Sequence, residues 1–144
     1  MCYMLYLSTS SQDDLSRYNS QWVTFERPDP TGNQSTTILE NAHKWFVGSV
    51  DGCSCRFRHV AGENLDFAEP QDQFPEDEDE VKATAELYQV VASLAHAGNK
   101  VDCLDLWAGM GAFQTEIKIR PVQLSSVSEK AFRLFENHHF VFAP

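Results

Sequence analysis

Basic side chains are scarce in this sequence. Its 144 residues include 11 Lys and Arg against 21 Asp and Glu, so the formal net charge is −10, and an acidic run lies at residues 76–80. Surfaces that bind a phosphate backbone or an anionic bilayer need clustered Lys and Arg, which displace counterions. We therefore expect no nucleic acid and no membrane as partners, while a protein partner stays open.

Long apolar runs are also missing. No stretch approaches the roughly 18 apolar residues of a membrane helix, and the apolar start at residues 1–7 is too short and lacks the basic leader of a secretory signal. We therefore expect a cytoplasmic protein. A length of 144 residues with 42% hydrophobic residues fits one domain, residues 1–144, around one core.

Short apolar and aromatic segments bounded by turn residues predict a series of strands. Asp51-Gly52 predicts an antiparallel hairpin between two of them, and the glycine-rich residues 108–111 predict another. Near the end of the chain two further strands look like a closing hairpin, for which a helix through Phe135 is the alternative. The predicted strands are residues 2–7, 22–26, 44–48, 53–57, 101–107, 114–120, 132–135 and 139–142.

A long helix is predicted over residues 76–97. Carboxylates in its first turn suit the positive end of the helix dipole, apolar residues recur at helical spacing, and Gly98-Asn99 marks its end. Together with the strands, this helix indicates the α+β class. We expect a single domain with a mostly antiparallel sheet and the helix packed on one face.

Three of the four cysteines form the main candidate site. Cys2 heads the first strand, and Cys53 and Cys55 would share one face of an extended segment, since side chains alternate along a strand. Thiolates with an imidazole suit zinc, and thiolates alone suit copper(I). We expect a small metal-binding protein, zinc first and copper second, with His59 or His43 as a fourth ligand. Paired Cys-x₂-Cys motifs, the stronger zinc signal, are absent.

Other functions stay open for the same residues. Cys53 and Cys55 would suit a thiol-disulfide redox protein if a thiol had a lowered pKa. A third hypothesis is a non-enzymatic interaction module in which the cysteines only pack and the exposed aromatic surface comes from Trp22, Trp45 or Trp107.

Residues 104–112 resemble the first motif of S-adenosylmethionine-dependent methyltransferases, in which a strand ends in a glycine turn beside the cofactor. The resemblance implies that this glycine turn lets the backbone approach the methionine part of the cofactor. However, only 33 residues follow Gly111 (144 − 111), and residues 114–120 alternate like a strand where the motif has a helix. A hairpin with a glycine loop is therefore the preferred interpretation.

The two cysteine motifs also resemble those of a family of short, uncharacterised bacterial proteins. Members open with Met-Cys-x-Met-Leu-Tyr-Leu, matched here by residues 1–7, and carry a later Gly-Cys-x-Cys-x-Phe, matched by residues 52–57. Ser54 and Arg56 occupy positions that are commonly glycine in that family. The resemblance implies that Cys2 groups with Cys53 and Cys55, and it implies no particular activity.

Overall fold

The first strand of the chain becomes a central strand of the sheet. The computed structural model describes residues 2–29, 34–108 and 116–144. Leu5 and Leu7 face one side of the sheet and Tyr6 faces the other. All three are buried, as expected for a central strand that is covered on both faces. The strands are β1 (Cys2–Thr9), β2 (Thr24–Glu26), β3 (His43–Gly48), β4 (His59–Val60), β5 (Val101–Ala108), β6 (Lys118–Gln123), β7 (Leu134–Phe135) and β8 (His138–Ala143).

Six of these strands form one sheet in the order β2-β3-β1-β5-β8-β6. Leu5 of β1 lies opposite Val47 of β3 on one side and Asp105 of β5 on the other. Every neighbouring pair is antiparallel except β6 with β8, which is parallel. A separate parallel pair joins β4 to β7. The predicted mostly antiparallel sheet is confirmed.

The long helix α1 spans Glu78–His96. Asp77 caps its N-terminus, because the Asp77 carboxylate accepts hydrogen bonds from the backbone N–H groups of Asp79 (2.8 Å) and Glu80 (3.3 Å). At the other end Gly98 has φ +91°, a conformation that favours glycine and ends the helix. The predicted helix is confirmed with slightly shorter bounds. Four 3₁₀ helices are described, at Leu15–Tyr18, Gln34–Thr37, Ser54–Arg56 and Leu124–Ser126.

The main core lies between α1 and one face of the sheet. Leu87 and Val91 of α1 are fully buried in the same cluster as Leu5, Leu7 and Phe140 of the sheet. The opposite face carries a smaller apolar cluster, which consists of Tyr6, Leu39 and Leu104 with four partly buried neighbours. The α+β class, with the helix packed on one face, is confirmed. Among the described residues no helix is long and apolar enough to cross a membrane.

The predicted hairpin across Asp51-Gly52 is wrong in its second arm. Residues 53–57 do not form a strand; they contain the 3₁₀ helix Ser54–Arg56, and β3 pairs with β1 and β2 instead. Ser49 explains the difference, because its backbone N–H (2.7 Å) and its hydroxyl (2.6 Å) both donate to the Cys53 carbonyl. This tight turn closes on itself and directs the chain away from β3.

The other two predicted hairpins are also wrong. Strand β8 lies between β5 and β6, so β5 and β6 do not pair with each other, and residues 109–115 of the predicted glycine loop lie outside the described residues. Strand β7 pairs with β4 rather than with β8, and no helix passes through Phe135. Partner choice in each case depends on segments distant in sequence, which local turn signals do not report.

Truncation of the helix core should destabilise the protein strongly. We expect Leu87→Ala to lower the free energy of unfolding by about 2–5 kcal/mol, since it removes a fully buried side chain and leaves a cavity. Urea denaturation measures this change. Ser93→Ala, at an exposed position of the same helix, is the control and should stay within about 0.5 kcal/mol. Equal effects in the two variants would contradict the packing described here.

Candidate thiol site

The start of β1 has one edge without a strand partner. Strand β5 pairs with β1 along its whole length, whereas β3 pairs only from Leu5 to Thr9. Ser54 fills the adjacent gap: its hydroxyl accepts from the Leu5 N–H (2.9 Å) and donates to the Val47 carbonyl (2.6 Å), fully buried. A serine side chain thus bridges the two strands and holds the Ser54–Arg56 helix against the open edge of β1.

The predicted cysteines meet at this edge. The Tyr3 backbone N–H and the Cys2 and Cys53 thiols all lie close enough to the Cys55 thiol to shift its pKa. Cys2 and Cys53 thus both lie near Cys55, although residues 53–57 are not the extended strand on which their grouping was predicted. A turn and a 3₁₀ helix bring Cys53 and Cys55 to the first residues of β1. The fourth cysteine, Cys103, is buried in the main core.

The electrostatic environment keeps the central thiol neutral. The pKa of Cys55 is raised to about 11: burial is the largest cause, the Tyr3 N–H opposes it, and the neighbouring Cys2 and Cys53 thiols add to it. Arg56 supplies no compensating charge to the thiols, because it forms ion pairs with carboxylates instead. Its partners are Asp51 (3.6 Å), Asp77 (3.3 Å), Asp79 (3.4 Å) and Glu80 (3.9 Å). All four cysteines are free thiols.

His59 lies next to this segment with both ring nitrogens engaged. Its Nδ1 is 2.8 Å from Oδ2 of Asp105, and its Nε2 is 2.6 Å from the Ser54 carbonyl oxygen, which can only accept. Nε2 must therefore carry a proton and donate it. In this arrangement His59 fixes the backbone before Cys55 and presents no free nitrogen to a metal.

His43, the other histidine considered as a ligand, lies far from the thiols. It pairs with Thr9 at the opposite end of β1 from Cys2. Seven steps of about 3.3 Å along a strand separate these ends by roughly 23 Å. His43 therefore does not belong to the same group as Cys2.

The aromatic ring of Tyr3 covers the His59 imidazole. The two rings stack with centroids 3.8 Å apart and planes at 3°, and Trp107 meets Tyr3 edge to face at 4.7 Å. Burial, followed by the charges of Glu136 and Asp105, raises the pKa of Tyr3 to about 12. The phenol is therefore neutral at physiological pH and contributes packing to the site.

Asp105 is the residue of this site that the sequence analysis missed. Its side chain is fully buried, Oδ2 contacts His59, and Oδ1 has no hydrogen-bond partner. Burial raises the pKa of Asp105, and the hydrogen bond between Asp105 and His59 opposes that rise. A signal was available: alternation in β5 places Asp105 on the same face as Cys103, and a carboxylate inside a buried strand requires a partner.

A second buried His–Asp pair lies on the opposite face of the sheet. Asp102 accepts from His139 Nε2 (2.7 Å) and from the Glu40 N–H (2.8 Å) through Oδ2, and from Ser8 and the Asn41 amide through Oδ1. Because every contact of this carboxylate is an accepted hydrogen bond, the cluster fixes residues 40–41 to the sheet. The Ser8 hydroxyl uses its proton on Asp102, so these residues do not form a nucleophilic triad.

In their present positions the thiols of Cys2, Cys53 and Cys55 do not form a metal site. Across residues 2–29, 34–108 and 116–144, no group of three or more His, Cys, Asp and Glu side chains is positioned to hold a metal ion. Cys2 is exposed and Cys53 and Cys55 are half-buried, so rotation of these side chains would not disturb the core. The donor chemistry fits a soft ion, and coordination requires the thiols to turn toward a common point.

Comparisons with other proteins identify no relative. No protein-family model matches the chain, and neither a curated protein nor a solved structure is significantly similar to it. The fold thus defines a single α+β domain, and its function has to be argued from its own residues.

Removal of the Ser54 hydroxyl should destabilise the site. Ser54→Ala leaves the Leu5 N–H and the Val47 carbonyl without their buried partner, and we expect a loss of about 1–3 kcal/mol in the free energy of unfolding. Ser126→Ala, an exposed serine in another 3₁₀ helix, is the matched control for urea denaturation. If both variants were as stable as wild type, Ser54 would not bridge the strands as described.

Asp105 should make stability depend on pH. A carboxyl whose pKa is raised by folding keeps its proton above about pH 4, where the unfolded chain has lost it, so its contribution falls as pH rises. Asp105→Asn imitates the protonated acid. Relative to this variant, wild type should lose about 1.4 kcal/mol for each unit by which folding raises the pKa.

The measurement is urea denaturation of both proteins over a pH series from about 4 to about 8. As pH rises, wild type should become progressively less stable relative to Asp105→Asn. Parallel curves would show that folding leaves the pKa of Asp105 unchanged.

Proposed function

We propose that this protein binds a soft metal ion, zinc or copper(I), through the thiolates of Cys2, Cys53 and Cys55. The observation that supports the proposal most is the convergence of the Cys2 and Cys53 thiols on that of Cys55, at a strand edge accessible to solvent. Cysteines that only fill a core are packed among apolar side chains, as Cys103 is in this protein.

The proposed protein ligands are the thiolates alone. With the His59 nitrogens committed to Asp105 and Ser54, copper(I) would be satisfied by the three thiolates alone. Zinc would need a fourth ligand from outside this group, such as water, and a zinc site with an open position can serve transfer or hydrolysis. The Tyr3 N–H lowers the pKa of Cys55 and would stabilise its thiolate, a typical contribution of groups around metal ligands.

The raised pKa of Cys55 bears on the choice between metal and redox chemistry. A thiol-disulfide enzyme attacks with a thiolate, and a pKa of about 11 leaves almost none at neutral pH. A metal ion instead displaces the proton, so that binding releases protons. The thiol-disulfide alternative through Cys53 and Cys55 is therefore the weaker hypothesis.

The remaining alternatives find less support in the fold. Trp45 is buried and its ring packs beneath the guanidinium of Arg27, and Trp22 and Trp107 are half-buried, so the three do not supply an open aromatic surface. The methyltransferase alternative concerns strand β5, which carries most of the resembling motif. This strand has antiparallel neighbours on both sides, whereas the cofactor-binding strand of a doubly wound nucleotide-binding fold lies in a mostly parallel sheet.

Native mass spectrometry tests the proposal on untagged protein purified without chelator. We expect wild type to carry one zinc or copper ion per chain, and Cys55→Ser to lose it, because the central ligand is gone. Cys103→Ser changes the core cysteine and should keep the metal. Zinc affinity should increase with pH through the neutral range, since Cys55 must lose a proton to bind.

Two results would contradict the proposal. A metal-free wild type with four reactive thiols, unable to take up zinc or copper(I) added in vitro, would leave packing as the role of these cysteines. A wild-type mass two hydrogens below the reduced value, restored by reductant and unchanged in Cys103→Ser, would instead indicate a disulfide among Cys2, Cys53 and Cys55.

A further inference from the structure

A second candidate site is a surface pocket at the far edge of the sheet. It has a volume of about 390 Å³, within the range of small-molecule sites. The loop of residues 62–65 forms one wall, and Lys118, Arg120 and His138 form the other. None of these residues belongs to the thiol site.

The sheet register brings the three basic side chains to the same wall. Lys118 of β6 and His138 of β8 are direct partners in the parallel pair, and Arg120 is two residues further along β6. Because side chains alternate along strands, Lys118 and Arg120 point to one face of the sheet. His138 shares that face, as Phe140 does two residues later in the core beneath α1.

Arg120 is held in place before any ligand arrives. Its guanidinium donates to the Leu65 carbonyl (3.3 Å) and to Oδ1 of Asp66 (3.2 Å), and it lies over the rings of Phe67 (5.5 Å) and Phe135 (5.3 Å). Asp66 is 79% exposed, so this ion pair is weak and leaves the cation able to bind another anion.

The other two groups are available to a ligand. His138 Nδ1 lies 2.8 Å from the Glu136 carbonyl oxygen and must donate to it, which leaves Nε2 for a ligand. No ion pair joins Lys118 to any carboxylate within the described part of the chain. In a protein of net charge −10, this concavity has three basic side chains against a single carboxylate, Glu63, in its lining.

We propose that this pocket binds the phosphate group of a small phosphorylated molecule. Lys118 and Arg120 donate to the phosphate oxygens from one strand, and from the next strand the free Nε2 of His138 accepts from the P–O–H group of the monoanion. Glu63, the only carboxylate in the lining, accepts a hydroxyl group of the same ligand. The ligand class is therefore a hydroxylated phosphate monoester.

The test is a titration of wild type with glycerol phosphate and, separately, with inorganic phosphate, both at constant ionic strength. Backbone amide NMR shifts report the binding. We expect saturable shifts confined to residues 62–66, 118–120 and 136–138. Tighter binding of glycerol phosphate supports an ester ligand with the Glu63 contact, whereas equal binding of the two would overturn the ester and leave only a phosphate-ion site.

Two variants test the assignment of the basic groups. Lys118→Gln should weaken glycerol phosphate binding at least tenfold, and His138→Gln should weaken it severalfold. Lys100→Gln is the control. It removes an exposed lysine immediately before β5, outside the pocket lining, and should bind glycerol phosphate like wild type. An equal loss in Lys118→Gln and Lys100→Gln, or shifts that never saturate, would reduce the interaction to general charge attraction and overturn the proposal.

Discussion

The unpaired edge at the start of β1 is the constraint on which the candidate site depends. Backbone N–H groups at a buried strand edge need partners, and β3 ends its pairing with β1 at Leu5. Ser54 supplies the partner of the Leu5 N–H from a 3₁₀ helix, through its hydroxyl oxygen. The same contact holds the Ser54–Arg56 helix, which carries Cys55, against the start of β1.

Asp102 and Asp105, buried on opposite faces of the sheet, differ in their hydrogen bonding. Asp102 satisfies both oxygens with four hydrogen bonds and fixes a loop, whereas Asp105 shares one oxygen with His59 and leaves the other without a partner. A buried carboxylate with incomplete hydrogen bonding is costly to ionise. The environment of Asp105 therefore favours the protonated carboxyl.

Helix α1 was predictable because its signals are local. Asp77 caps it, acids occupy its first turn, Gly98 ends it, and all of these lie within a turn of the boundary they set. The hairpins were not predictable for the opposite reason. Asp51-Gly52 resembles a hairpin turn, but Ser49 closes the loop on the Cys53 carbonyl, and β8 displaces β6 from the side of β5.

The sequence by itself determined the α+β class, the helix and the strand β1, since apolar periodicity and capping residues act over a few positions. Only the tertiary structure decided that His59 is committed to Asp105 and Ser54, that the pKa of Cys55 is raised, and that Lys118, Arg120 and His138 share one pocket. These features depend on burial and on contacts between residues distant in sequence, and such contacts exist only once the sheet has formed.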